Sequence, residues 1–161
     1  MQLNIGGLIP ESVVDGPGIR FVIFAQGCQH NCKGCFNPEL QPFQQNRLMT
    51  VEEIIAMIKE HNSQGITFSG GDPFEQAEGF TALAQACRKL GLSIWSYTGY
   101  TYEELIQKPT KLKLLQELDV LVDGRFVLEQ KDITLKYRGS SNQRIIDVQK
   151  SLAKGQVITI Q

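Results

Sequence analysis

The chain has 161 residues, of which 42% are hydrophobic and 20% charged, and its formal net charge is −1. That length fits one domain, expected over 1–161, and the composition excludes a disordered or fibrous chain. The near-neutral charge gives no electrostatic footprint for nucleic acid, no apolar run reaches the ~18 residues of a membrane helix, and the start carries no basic-then-apolar leader.

IRFVIFAQ (19–26) follows the turn signal DGPG, and its β-branched and aromatic residues predict a buried strand. A loop holding three of the four cysteines comes directly after it. Thr50 and Glu53 then form a capping box for the helical stretch VEEIIAMIKEHN, in which Val51, Ile54, Ile55 and Ile58 share one face. GITFSGG (65–71) predicts a second strand. Asp72 stands next at an N-cap position, with Pro73 at the first helical position, opening a helix that runs to about Leu90 and stops at Gly91. LSIWSYTG (92–99) is a third strand, and Thr101 with Glu104 caps a short helix. Pro109 separates that helix from TKLKLLQEL, and VLVDG (120–124) is a fourth strand. Beyond Arg125 the pattern weakens, with RIIDV (144–148) and QVITI (156–160) as strand candidates.

Strands alternating with helices predict parallel βα units with right-handed crossovers, hence an α/β fold with a mostly parallel sheet and helices outside. Loops after the carboxyl ends of such strands share one face, where ligands bind. The cysteine loop, SGGDP, SYTGY and VDGRF therefore meet at one mouth. A complete eight-unit barrel needs ~200 residues or more, so a barrel here is partial. Residues 125–161 hold 7 Lys/Arg against 3 Asp/Glu, whereas 1–124 hold 9 against 14. This basic segment, with Lys136, Arg138 and Arg144, is either a docking surface for an acidic partner or a solvated face.

The chemistry is concentrated in GCQHNCKGCFN (27–37), where Cys28, Cys32 and Cys35 fall within eight positions. The setting expected from the missing leader and membrane span is the cytoplasm, where clustered cysteines read as metal or redox groups. A disulfide would leave one thiol over. Zinc would recruit His30, yet zinc ligands usually come as two pairs about a dozen residues apart, and no second pair is present. An iron–sulfur cluster suits a short glycine-containing loop better. Three thiolates leave one iron of a [4Fe–4S] cluster open, as catalytic zinc keeps an open position. Cys87 is in line with Phe80, Leu83 and Ala84 at helical spacing and is expected in the core rather than as a fourth ligand. His30 is expected to be exposed on its loop, and neither it nor His61 is assigned a catalytic role.

The C-x3-C-x2-C loop after the first strand, with Gly70-Gly71-Asp72-Pro73 after the second, resembles the radical S-adenosylmethionine (SAM) superfamily. DGPGIR ahead of the strand is similar to the glycyl-radical-enzyme activases. CKGCFNP, SYTGY, DVLVDGRF and YRGSSNQRIID are similar to the activases of anaerobic ribonucleoside-triphosphate reductase, and the matching stretches run from Asp15 to Val148. The resemblance implies an incomplete βα barrel and an oxidoreductase that cleaves SAM reductively to leave a glycyl radical on the anaerobic (class III) ribonucleotide reductase. It implies Cys28, Cys32 and Cys35 as cluster ligands, with the amino and carboxylate groups of SAM on the open iron. It implies Gly34, Cys35, Phe36, Gly70, Gly71, Asp72, Thr98, Asp123 and Arg125 as SAM-binding residues. Gly70 and Gly71 would let backbone approach the methionine part, and Asp72 or a nearby carbonyl would accept from its amino group while also capping the helix. The usual aromatic before the third cysteine is Gly34 here, with Phe36 after it, which leaves open the side chain that backs the adenine. Cluster and SAM carry the chemistry, and no side chain serves as a general base.

The implied partners are the reductase large subunit, through its glycyl radical loop, and a low-potential electron donor such as flavodoxin or ferredoxin. No nucleic acid or membrane is implied. Three alternatives are an activase of another glycyl radical enzyme such as pyruvate formate-lyase, a radical SAM enzyme acting on a small molecule, and a non-catalytic zinc or iron–sulfur binding module.

Overall fold

The computed structural model describes residues 1–160. The strands are β1 (Gln2–Ser12), β2 (Arg20–Ala25), β3 (Arg47–Thr50), β4 (Gly65–Gly70), β5 (Ser93–Tyr97), β6 (Val120–Asp123) and β7 (Arg144–Asp147). The helices are α1 (Val51–Lys59), α2 (Ala77–Lys89), α3 (Tyr102–Leu105), α4 (Pro109–Gln116) and α5 (Val148–Lys154). One sheet runs in the order β3-β1-β2-β4-β5-β6-β7. Its centre, β2-β4-β5-β6, is parallel and is built from the four strands the sequence predicts. Antiparallel β1 and β3 flank one side and antiparallel β7 the other.

Strand alternation sorts the two faces. Phe21, Ile23 and Ala25 of β2, Ile66 and Phe68 of β4, Ile94 of β5 and Leu121 of β6 join a core completed by Ile54, Phe80, Leu83, Cys87, Leu114 and Leu115 from the helices. The opposite face carries Phe24, Ser69 and Tyr97 into a cavity and packs Trp95 with Val120 and Val122 in a smaller cluster. Helices thus cover one face and leave the other open, the arrangement of an incomplete βα barrel.

Both capping boxes form as expected, at Thr50 with Glu53 and at Thr101 with Glu104. The stretch from Asp72 begins as a 3-10 turn, Pro73–Gln76, before α2 starts, and Gly91 takes the left-handed φ of +76° just beyond the helix end. QVITI makes only an isolated bridge, Thr159 to Ile146, rather than a strand.

The floor of the open face is closed by Arg20. Its side chain is buried and donates to the hydroxyls of Thr67 and Ser93 and to the carbonyls of Pro17, Ile66 and Ser93. Burial pulls this guanidinium down to about 10, with only a partial offset from the more distant charge of Asp119. The DGPG turn is held to the same floor, because Thr67 Oγ1 donates to the Asp15 carbonyl at 2.6 Å.

Candidate functional site

A cavity of about 640 Å³ opens on the uncovered face. Cys28, Cys32 and Cys35 lie along it, together with Phe36, Gly70, Gly71 and Thr98. The parallel strands cause this convergence, since the cysteine loop follows β2, the Gly70-Gly71 turn ends β4, and Thr98 follows β5. A second cavity of about 440 Å³, between the chain start and the first turn of α2, contains no cysteine.

Backbone hydrogen bonds fix the cysteine loop at its root. Gly27 N donates to Leu40 O at 2.7 Å and Cys28 N to Gln41 O at 2.9 Å, while Gln26 Nε2 donates to the carbonyls of Glu39 and Pro42. The glycine turn packs on this root, with Gly71 N donating to Ala25 O and Asp72 N to Gly27 O. Here the two glycines have a packing role beside the expected one. A Cβ on Gly70 would stand 2.4 Å from Ala25 N and O, and one on Gly71 would stand 2.5 Å from Gly27 O. The missing side chains make room for the protein's own backbone, while the turn faces the cavity with main chain alone.

All four cysteines are free, the three loop thiols partly exposed and Cys87 buried in the core face of α2. Burial pushes the Cys28 thiol up to about 11 and Cys87 up to about 12, and it raises Cys32 as well. Among the described residues, the ligand-type atoms that converge within 4.8 Å of one another are those of Cys28, His30 and Asp72, a set without Cys32 or Cys35. The three loop thiols are therefore spread wider than the ligands of one tetrahedral ion, whose sulfurs are held ~2.3 Å from the metal. His30 and Asp72 are also occupied with each other. A multi-iron cluster with thiolates on separate corners fits this donor set; a closed Cys₃His zinc site does not.

Asp72 is fully buried and its carboxylate is shared among four donors. Phe74 N donates at 3.0 Å, Gly99 N at 2.9 Å, His30 Nε2 at 2.7 Å, and Thr98 Oγ1 at 2.9 Å and 3.1 Å to the two oxygens. Three of these donors meet on Oδ2, while Oδ1 takes Phe74 N and the longer arm of Thr98, so most of the carboxylate's acceptor capacity is engaged by the protein itself. Asp72 lies beneath the cavity rather than along it, engaged by the loops that surround it.

Three other expected contacts also lie off the cavity wall. Asp123 shares the strand parity of Leu121, so it points to the helix side, where Arg144 Nε and Nη2 donate to it at 3.0 and 2.6 Å and Tyr102 N at 2.8 Å. Arg125 is exposed and directs its Nε toward His30 Nδ1 at 3.3 Å. Gly34 has φ of +77° and backs onto Leu128 and Phe126. Phe36 does line the cavity, with its ring 4.9 Å from that of Phe126, which also lines it. Arg144 is likewise no free docking charge, since Glu103 and Asp123 both engage it and together raise its pKa, the Asp123 bond foremost.

His30 overturns the expectation of an exposed loop residue. Its side chain is 1% exposed, its ring lies 4.5 Å from Tyr100, and a Cβ on Gly99 would stand 2.4 Å from it. The Tyr100 hydroxyl donates to Glu75 and accepts from Gln29 Nε2 at 2.6 Å. Phe126, Tyr97 and Arg138 complete the wall without having been singled out as ligand contacts, and Arg138 Nε is buried with no hydrogen-bond partner. An orphaned donor beside the cavity fits a ligand that carries an acceptor.

The family model that matches is described as a 4Fe-4S single cluster domain and spans residues 14–146. An anaerobic ribonucleoside-triphosphate reductase-activating protein of Vibrio cholerae is 39% identical over 153 residues, covering 89% of this chain and 97% of that protein. Proteins of the same description from Escherichia coli K12 and from Enterobacteria phage T4 are 35% and 33% identical, over 88% and 89% of this chain and 96% and 93% of their own lengths. The crystal structure of QueE from Escherichia coli superposes with a TM-score of 0.53 over 63% of this chain and 54% of that one, at 19% identity, a likeness of fold alone.

Proposed function

The chain belongs to the anaerobic ribonucleoside-triphosphate reductase-activating protein family, and from that premise we propose how its own residues are used. It is a radical SAM activase with a [4Fe–4S] cluster, and its partner is the anaerobic ribonucleotide reductase. The observation that carries this reading is the placement of three unpaired thiols, spread too widely for one ion, on the cavity that the glycine turn also faces.

Cys28, Cys32 and Cys35 hold the cluster, each losing its thiol proton as it ligates. Gly70 and Gly71 present main chain to the methionine end of SAM. Thr98 is available through its remaining acceptor, since its hydroxyl donates to Asp72 and takes Tyr100 N at 3.1 Å. Phe36 and Phe126 offer apolar rings to the adenine, and Arg138 Nε offers a donor to the carboxylate. When bound, cluster and SAM supply one-electron cleavage of the sulfonium and the hydrogen-atom abstraction that leaves a radical on a glycine of the reductase. The chain's contribution is to hold these groups in register, with Phe24, Phe126 and Leu135 adding apolar surface to the cavity wall. A low-potential flavodoxin or ferredoxin is the proposed electron source. The proposed setting is the cytoplasm, in keeping with reduced thiols and with no helix among the described residues long and apolar enough to cross a membrane.

Anaerobic reconstitution tests this reading. The expected product is a brown protein with ~4 iron and ~4 sulfide per chain that releases 5′-deoxyadenosine when reduced with SAM. A colourless zinc protein that leaves SAM intact would contradict it.

A further inference from the structure

We propose that His30 is a positioning residue that locks the cysteine loop, the Gly70-Gly71-Asp72 turn and the Thr98-Gly99-Tyr100 loop into one body; the functional part of this proposal rests on the cluster and SAM site described above.

His30 lies between two of the three cysteines, where a solvent-facing polar residue would suffice if the loop merely carried thiols. Instead its side chain is only 1% exposed and is packed into the cavity wall. The partner of each nitrogen determines the tautomer. Nε2 faces the acceptor-only carboxylate of Asp72 at 2.7 Å, so Nε2 carries the hydrogen. Nδ1 faces the donor Nε of Arg125 at 3.3 Å and accepts. One imidazole thereby joins the loop after β2 to the turn after β4 and to the loop after β6. The loop after β5 packs against the same ring and shares its carboxylate partner. Gly99 N donates to the same Asp72 oxygen at 2.9 Å, Gly99 has no side chain to obstruct the ring, and Tyr100 packs against it edge-on.

Gln29, next along the loop, is tied to the Tyr100 hydroxyl, so two consecutive residues between Cys28 and Cys32 are held by side chains of other strand-end loops. Asp72 is fully buried and already accepts from four donors, and Tyr100 is 3% exposed. Asp72 is better understood as the hub through which the ring orients the thiol loop against the glycine turn. This is the logic of an outer-shell group that orients a ligand without touching the metal. The clamp sets the spacing between the thiols and the backbone that faces SAM, so loosening it weakens SAM engagement more than cluster retention.

The test uses His30→Ala, which removes both bonds, and His30→Gln, whose amide keeps a donor and an acceptor at similar reach. In the apoprotein, hydrogen–deuterium exchange reads the clamp without any cofactor. His30→Ala should raise exchange in 28–35 and in 98–101 together, while 66–68 in the core stays protected and His30→Gln stays near wild type. After anaerobic loading, the electron paramagnetic resonance spectrum of the reduced cluster is followed as SAM is added. His30→Ala should keep its iron but need about tenfold more SAM to change the spectrum, and His30→Gln or added imidazole should restore most of that loss. Exchange confined to 28–35, or wild-type SAM response in His30→Ala, would overturn the clamp. Loss of iron from both variants would also overturn it, because it would make His30 a ligand. A wild-type protein that loads no cluster would instead overturn the activase reading and leave the exchange result to decide the clamp.

Discussion

Single residues divide the four thiols into two kinds by burial and partner. Cys87 is enclosed by the core face of α2 and its thiol is pushed up to about 12 by burial alone, so it packs as a small apolar group. Cys87→Ala should lower stability by about 1 kcal/mol and leave iron content unchanged, as read by the denaturation midpoint and by iron analysis. Full loss of iron would restore Cys87 as a ligand. Cys28 behaves differently because it must ionise to work. Its thiol is raised to about 11, above the ordinary 9.0, so in the apoprotein it favours folding below pH 9 and that contribution fades as pH rises toward about 11. Iron holds the deprotonated form, which means loading releases protons and strengthens with pH. Iron should therefore be retained against a chelator better at pH 9 than at pH 7, and the reverse order would contradict thiolate ligation. The cysteines proposed as ligands stand out in the sequence because their spacing is local. The environment of His30 does not, since its partners Asp72 and Arg125 lie 42 and 95 positions away.

At the scale of elements, the four parallel strands were legible because each is a short β-branched or aromatic run closed by a glycine-containing turn. Of the flanking strands, β7 stood out as RIIDV, while β1 and β3 did not. β1 contains Gly6, Gly7 and Pro10 and shifts register twice against β2, so its alternation is broken along its length. β3 and α5 are too short to show a period, at four and seven residues. The Gly70-Gly71 turn shows why an element's glycines cannot be assigned to a ligand from sequence alone. Its packing partners are the backbone of β2 and of the cysteine-loop root, so Gly71→Ala forces a Cβ against main chain that cannot yield. The substitution should cost about 2 kcal/mol in the apoprotein and misalign the cysteine loop. Chemical denaturation before any cofactor is added separates this from a pure loss of SAM contact, which would leave the midpoint unchanged.

The whole molecule is an α/β sheet with helices on one face and a cavity on the other, which is how a short chain offers its reacting groups to another protein. Sequence reasoning reached that architecture through the βα alternation, and it reached the mouth through the rule that strand-end loops share one side. It did not foresee that Asp72 and Asp123, both carboxylates at strand ends, are engaged in the fold's own hydrogen bonds. Within the basic segment Arg144 follows the same pattern, since Glu103 and Asp123 engage it. The central claim concerns radical transfer to a partner, and it is tested most directly by electron paramagnetic resonance of the anaerobic reductase mixed with the reduced, loaded activase and SAM. The account predicts an organic glycyl radical signal on the reductase that requires SAM and disappears with Cys32→Ala. A signal formed equally well by Cys32→Ala, or none from a fully loaded wild type that still cleaves SAM, would contradict it.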